Sequence, residues 1–366
     1  MEKPYSQWKG MMAIAKASLI AILRSPQSVF FSLFFPVVLI VIFGALSNGR
    51  GISLNVAFDS KSDTANAVYQ DIRSRPVLDV NKGDDKTVED LLKKGRITAI
   101  IEIHKQPDGV KPAYDVHLKT TSASQKDVPV LQSVLRDVIN GVNSRVAGTT
   151  PAYASISNER VEGRRYLSID FYLPGMLGFS LIGAAVFGVA FVFFSLRETL
   201  VLKRMYATPI RRGYIVVGES IGRIIFQLMT AVVLIGFGVL FYHFTLANGW
   251  VTFVELLLLS LLGLLVFMGF GFVISSVAKN QNVIPVYANL FMFPQYFLSG
   301  TFFSRGALPQ GIQPVLKYLP LTALNDAMRK VSFEGLHIWN VWSEVLILLV
   351  WCVVVYIIAA KVFKWD

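Results

Sequence analysis

The sequence predicts a membrane protein: an all-α six-helix transmembrane domain with an inserted α/β extracytoplasmic domain. Three observations predict it. Of 366 residues, 54% are apolar and 16% charged, with a mean hydropathy of +0.53, a balance that a water-soluble chain of this size does not show. Six apolar runs approach or exceed the roughly 20 residues that a helix needs to cross about 30 Å of hydrocarbon. One long polar stretch, residues 47–170, interrupts them. The runs are continuous rather than alternating, and only helices or closed barrels satisfy every backbone amide in a bilayer, so they read as helices.

Residues 1–26 interleave Trp8, Met11, Met12, Ile14, Leu19, Ile22 and Leu23 with Lys9, Lys16 and Arg24, the pattern of an amphipathic helix lying in the membrane interface. A cytosolic extension of the first span is the other reading of the first few residues. Ser25-Pro26 separates this helix from the first span, residues 27–46. That span has a longer apolar core than a secretory signal and follows a polar segment, so it is expected as a retained anchor, although Ala45-Leu46-Ser47 offers small residues to a peptidase. The remaining spans, within residues 171–366, are 171–196, 214–244, 251–277, 283–303 and 341–362.

Orientation follows from Lys and Arg. Lys3, Lys9, Lys16 and Arg24 at the start, Arg197, Lys203, Arg204, Arg211 and Arg212 between the second and third spans, and Lys361 and Lys364 at the end share one side of an even-spanned chain. The positive-inside rule makes that side the cytoplasm, so both termini are expected there. Residues 47–170 hold 18 Lys and Arg against 16 Asp and Glu, a net of +2 within the chain's +11. In this segment "ISLNVAF", "ITAIIEI" and "YDVHLK" read as strands and "TVEDLLKKG" as a short helix closed by Gly95. Val128, Leu131, Leu135, Val138 and Val142 form one apolar stripe of a longer helix. About 120 residues suffice to bury a core. "NERVEGRRYLSID" reads as a charged linker into the second span, whose arginines either hold headgroups or solvate the chain.

Covalent chemistry finds no support. The one cysteine, Cys352, falls in the last span, so no disulfide or thiolate cluster forms within one chain. His104, His117, His243 and His337 lack metal-ligand or protease spacing, and His104 and His117 read as strand-surface residues. There is no phosphate loop and no G-x-S-x-G elbow. The basic charge is divided between the cytoplasmic face and headgroup-level positions, which argues against nucleic acid as a partner. No catalytic or metal site is expected.

"LKRMYATPIRRG", residues 202–213, carries four cationic side chains between two of the most apolar runs. Positive-inside topology accounts for the charge, but the order of residues is more particular. It resembles the loop between the second and third spans of ABC-2 type transporter permeases, the transmembrane subunits of ABC exporters. The family pattern runs Arg-Glu, Leu-Lys-Arg, Ala-Thr-Pro and a basic residue, then Gly-Lys near the start of the third span. Here these are Arg197-Glu198, Leu202-Lys203-Arg204, Ala207-Thr208-Pro209, Arg211-Arg212 and Gly218-Glu219. Leu200 stands where many members have Gly, and Glu219 where Lys is common. Leu173-Pro174-Gly175 is similar to the family's Pro-Gly at the mouth of span two. Ser299-Gly300, Phe302-Phe303, Leu308-Pro309, then Pro320-Leu321-Thr322, Asp326, Arg329 and Gly335 resemble its late signature, with Ser304 in place of the usual Pro. The resemblance covers the whole chain. The large domain between the first two spans is similar to the subgroup of bacterial drug, lipid and antibiotic-resistance exporters.

The resemblance implies a permease for a hydrophobic or amphipathic substrate in the bacterial plasma (inner) membrane. A second permease would pair with it as homo- or heterodimer, and a separate cytoplasmic ABC ATPase would bind the ATP and Mg, leaving this chain without a cofactor. Residues 197–213 would be the coupling loop. Arg197, Glu198, Lys203, Arg204, Arg211 and Arg212 supply its charge, Leu202, Met205 and Tyr206 an apolar anchor, and Thr208 and Pro209 stiffness. Glu219 and Arg223 stand at i and i+4, the spacing of a helical ion pair that would brace the lever; interfacial snorkelling is the other reading. Pro285, Pro294 and Ser299-Gly300 interrupt the fifth span. By resemblance it continues into a re-entrant outer segment, residues 300–337, with polar residues 305–334 facing out. Phe297, Ser299, Gly300, Phe302, Phe303, Leu308 and Pro309 are candidates for an outer gate. Phe187, Phe191, Phe194, Phe291, Phe293, Phe297, Phe302 and Phe303 line a substrate route or serve ordinary packing. A receptor or scaffold with an outer ligand-binding domain and no transport is the alternative, and it leaves the broken fifth span unexplained.

Overall fold

The computed structural model describes residues 6–47, 54–75, 77–81, 84–93, 96–107, 112–121, 127–146, 154–161, 167–198, 210–303, 305, 308–309 and 311–362. They divide into two compact units, Met1–Ser47 with Ser168–Asp366, and Asn48–Leu167.

The second unit is a five-stranded mixed sheet in the order β2-β1-β3-β4-β5, with β1 Leu54–Phe58, β2 Leu78–Asn81, β3 Ala99–Lys105, β4 Tyr114–Thr121 and β5 Ala154–Val161. Only β3 and β4 run antiparallel. Because strand side chains alternate faces, Leu54, Val56, Ala99, Ile101, Ile103, Val116 and Leu118 line one face. There they meet Val68 and Ile72 of one helix, Ala67–Ser74, and the predicted stripe Leu131, Leu135, Val138 and Val142 of another, Val128–Val146. A third helix, Asp85–Lys93, covers Ala57 and Ile100 on the opposite face with Val88 and Leu92. Hydrogen bonds from the Ser60 hydroxyl and amide hold the Asp85 carboxyl below its usual range. Ala67–Ser74, β2 and β5 are elements beyond those expected from the sequence. The first carried a legible start signal, Asn66, whose side chain accepts from the Tyr69 amide at 2.8 Å. The expected linker "NERV", residues 158–161, is instead the end of β5, paired along Leu118 to Thr121. Leu135→Ala is expected to cost about 2–5 kcal/mol by removing a fully buried side chain, read as lost amide protection in β3 and β4 by hydrogen exchange.

In chain order, the helices are α1 Gln7–Leu23, α2 Pro26–Val29 and, after a π turn Phe30–Phe34, α3 Phe35–Ser47; then α4, α5 and α6, the three helices of the sheet unit; then α7 Ser168–Glu198, α8 Arg212–Tyr242, α9 Trp250–Val277, α10 Ile284–Leu298, α11 Gln313–Leu316, α12 Pro320–Ser332 and α13 Trp342–Val362. Among the described residues, five helical stretches are long and apolar enough to cross a membrane: Pro26–Phe43, Ser168–Glu198, Gly213–Tyr242, Trp250–Val277 and Ile338–Val362. The expected fifth span, 283–303, does not form one such helix. Its α10 has 15 residues, about 22 Å at 1.5 Å per residue. It ends at Ser299, followed by Gly300 in the left-handed region at φ 75°.

The polar stretch expected to face out from 305 to 334 contains α12, and that helix is buried. Leu321, Leu324, Ala327, Met328 and Val331 are sealed, as are Thr322, Asn325 and Ser332, against α7, α9 and α13. Its polar character misled because Asp326, Arg329 and Lys330 all find partners inside the chain. Glu255 is also buried, accepting from the Ile338 amide at 3.3 Å and meeting His337 Nδ1 at 3.0 Å.

The α1 helix buries Met11, Ala15 and Ser18 and packs on α8. Backbone approach is close there: a Cβ on Gly218 would stand 2.8 Å from Met11 O, and one on Gly222 2.6 Å from Ala15 O. Trp8, Met12, Ile20 and Leu23 remain exposed on its other face, where Lys9, Lys16 and Arg24 also lie.

Candidate functional site

Two regions gather the residues singled out in the sequence. The first is the pair of long helices flanking the basic loop. Leu202, Lys203, Arg204, Met205, Tyr206, Ala207, Thr208 and Pro209 lie outside the described residues, so the structure positions the two ends of the loop. At the end of α7, Arg197 turns inward. It donates to Ala278 O at 2.9 Å and Ser276 O at 3.4 Å and stacks 5.1 Å from the Phe194 ring centre. The guanidinium thereby satisfies carbonyls that α9 leaves free at its C-terminus. Glu198 is exposed. On the far side, the Arg211 amide donates to Gln7 Oε1 at 2.9 Å, fastening the start of α8 to α1, while the Arg211 side chain is exposed. Arg212 opens α8.

Glu219 and Arg223 do not form the expected ion pair. With α1 drawn close over Gly218 and Gly222, Ser18 Oγ reaches Glu219 Oε2 and donates to it at 2.8 Å. Arg223 turns the other way, toward α7, where a Cβ on Gly188 would come within 2.5 Å of its Nη1. One turn on, Gln227 donates through Nε2 to Ser180 Oγ at 2.8 Å, and Ser180 donates to Ser32 O at 2.6 Å. Ser32 lies in the π turn, whose i to i+5 bonding departs from the ordinary helical pattern.

The second region is the turn after α10. Asn325 Nδ2 donates to Thr301 Oγ1 at 3.0 Å and Ser299 Oγ at 3.4 Å, and the two hydroxyls bond each other at 2.8 Å. Gln295 Oε1 accepts from the Leu321 amide at 3.0 Å, one of the orphan donors that follow Pro320 at the start of α12. Arg329 donates to Gly300 O at 2.6 Å and Phe171 O at 3.1 Å, its guanidinium 4.0 Å from the Phe171 ring centre. Arg305 and Asp326 pair at 2.6 Å. The Pro-Gly of α7 gives this turn its seat: a Cβ on Gly175 would stand 2.7 Å from Thr301 O. Ser299 and Gly300 of the candidate gate are therefore bonded to α12 through Asn325 and Arg329, while Leu321 bonds Gln295 and Asp326 pairs with Arg305. Thr322 is sealed in α12 with an unpartnered hydroxyl.

The gate phenylalanines divide. Phe302 packs near Phe43, Phe179 and Phe297, at 6.0, 5.9 and 6.3 Å between ring centres. Phe297 and Phe303 are exposed. Leu308 accepts from Gln313 Nε2 at 2.9 Å, and Pro309 is exposed. Of the others, Phe194 is buried beneath Arg197, Phe187 stacks on Phe191, and Phe291 stacks on Phe270 at 3.9 Å, while Phe293 is exposed. Sequence reading missed Asn325, Thr301, Gln295, Arg305 and the Ser18, Ser180 and Gln227 links. Asn325 carried a signal: it stands at the i+4 position from Leu321, on a face that is otherwise apolar.

This arrangement joins a broken helix, a buried return helix and two long helices meeting at a basic loop. The model of the ABC-2 family transporter protein matches residues 26–361. The chain belongs to the ABC-2 transporter family. As such it is a multi-pass membrane component of transport, of a family that normally works with an ATPase partner. This ABC-2 chain is similar to ABC transporter G family member 20 of Dictyostelium discoideum, 28% identical over 193 residues, which are 52% of this chain and 26% of that protein. It is also similar to nodulation protein J of Rhizobium meliloti (strain 1021), 28% identical over 187 residues, 49% of this chain and 69% of the relative. Nodulation protein J of Rhizobium leguminosarum bv. trifolii is 27% identical over 207 residues, 56% of this chain and 76% of the relative. The chain thus spans about a quarter of the Dictyostelium protein.

Proposed function

We propose that the chain is the permease subunit of an ATP-driven exporter, moving a hydrophobic or amphipathic molecule such as a drug, antibiotic or lipid-like compound across a bacterial plasma membrane. The observation that carries this reading is the family match across 26–361, together with a basic loop suspended between two long apolar helices, α7 and α8. In this reading both termini and the loop are cytoplasmic, the sheet unit is extracytoplasmic, and α10 with its turn and α12 completes a sixth crossing. A second permease, identical or related, forms the other half of the pathway.

The loop docks on the ATPase, which binds ATP and Mg. Lys203, Arg204 and Arg211 meet acidic groups there, and Leu202, Met205 and Tyr206 fill an apolar cleft. Arg197 and the Arg211 amide, fixed to α9 and α1, keep both roots of the loop attached to the membrane unit. Movement of the loop therefore passes into α7 and α8. At its other end α7 meets the turn after α10 through Gly175 and the Phe171 carbonyl.

The test is detergent co-purification of the chain with the ATPase encoded nearest to it. Lys203→Glu/Arg204→Glu/Arg211→Glu is expected to lose at least tenfold in ATPase recovery and to abolish permease-stimulated ATP hydrolysis, with its melting temperature unchanged. Equal recovery with wild type and variant would overturn the coupling role of the loop. Failure of the wild type to bind the ATPase would overturn the exporter reading.

A further inference from the structure

Arg223 sits about a third of the way along α8, within the stretch Gly213–Tyr242 that is apolar enough to cross a membrane. Among the described residues its guanidinium has no carboxylate within 4 Å and no hydrogen-bond acceptor, and its Nε is sealed from solvent without a partner. The carboxylate one turn before it, Glu219, is held by Ser18 of α1. One turn after it, Gln227 is 2% exposed, donates to Ser180, and leaves Oε1 without a partner. One face of α8 therefore presents a guanidinium Nε and an amide oxygen, both without a hydrogen-bond partner, on residues about 6 Å apart along the helix axis. Charged groups at membrane depth are retained where something pairs with them; among the described residues Glu219 acts on this cation through its charge alone, without an ion pair or a hydrogen bond.

We propose that Arg223 and Gln227 form a binding site for a phosphate-type anion that also carries a hydroxyl, supplied by a phospholipid headgroup or by free phosphate. A guanidinium matches phosphate oxygens with its forked donors, and Gln227 Oε1 accepts from the ligand's hydroxyl. Gly188 makes room for the cation, since a methyl there would collide with Nη1. The inference rests on α8 being a membrane helix and is independent of the direction of transport and of the ATPase.

The test follows the melting temperature of the full-length protein in a neutral detergent while short-chain phosphatidylglycerol, phosphatidylcholine of the same chain length, or inorganic phosphate is added. Phosphatidylglycerol is expected to raise it by about 3 °C, as a ligand that binds only the folded state does, and phosphatidylcholine, which carries the phosphate without the hydroxyl, to raise it less. Arg223→Gln is expected to remove most of the rise, Arg223→Lys to keep part of it, and Gln227→Leu to reduce it. A rise with inorganic phosphate alone that Arg223→Gln abolishes supports the site with a soluble source; no response to phosphate supports the lipid source. If Arg223→Gln does not fold, Gly188→Ala displaces the intact cation and is expected to shrink the response. A response undiminished in these variants overturns the proposal and assigns the lipid effect to the exposed Lys9, Lys16 and Arg24. No rise with any additive also overturns it.

Discussion

Arg329→Met is expected to cost about 3–5 kcal/mol of stability and to abolish transport. The guanidinium ties the backbone of the turn after α10 to the start of α7, donating to Gly300 O and Phe171 O while lying over the Phe171 ring. Hydrogen bonds from a charged donor contribute about 1.5–3 kcal/mol each, and their loss leaves part-buried carbonyls without a partner. A lysine keeps the charge but cannot fork to carbonyls on two elements, so Arg329→Lys should recover less than half of the loss. Thermal melting in detergent measures the first effect and substrate efflux from vesicles the second. Melting of Arg329→Met within about 0.5 kcal/mol of wild type, the scatter of surface substitutions, would show that this contact does not hold the turn.

Gly175→Ala is the next largest expected change. Its methyl group would stand 2.7 Å from the carbonyl oxygen of Thr301 and 3.2 Å from that residue's Cα. The obstacle is backbone, so α7 or the turn must move as a body, at about 1–3 kcal/mol for overpacking. Gly213→Ala, where a Cβ meets nothing within 4 Å, provides the contrast and is expected to be neutral or to stabilise α8 by up to about 1 kcal/mol. Because the displaced turn also carries Ser299 and the hydrogen bonds of Asn325, efflux should fall further than stability does. Efflux that falls only in proportion to folded protein would assign the turn a packing role alone.

Much of this was legible in the residues. Long apolar runs at 171–196, 214–244 and 251–277 needed no tertiary information, because a helix in hydrocarbon closes its own hydrogen bonds. The stripe Leu131, Leu135, Val138 and Val142 was readable for a related reason: period 3.6 survives whatever the helix packs against. The order of the Arg-Glu, Leu-Lys-Arg and Ala-Thr-Pro elements was equally local. Where the reading failed, the deciding partner was distant in sequence. Spacing alone paired Glu219 with Arg223, but Ser18, 201 positions away, takes the carboxylate. Charge alone turned Arg329 outward, but a carbonyl 158 positions away turns it in.

The sequence by itself determined the membrane class, the presence of a mixed α/β region, the charge of the basic loop and the family, since these depend on composition and on contacts between near neighbours. Only the tertiary structure decided that the helix of the fifth apolar run stops at Leu298, that α12 returns into the helical unit, and that Asn325 and Arg329 bond the turn at Ser299 and Gly300. The last two depend on where glycine notches in α7 and α9 admit the turn and α12, and a notch has no meaning until its occupant is in place.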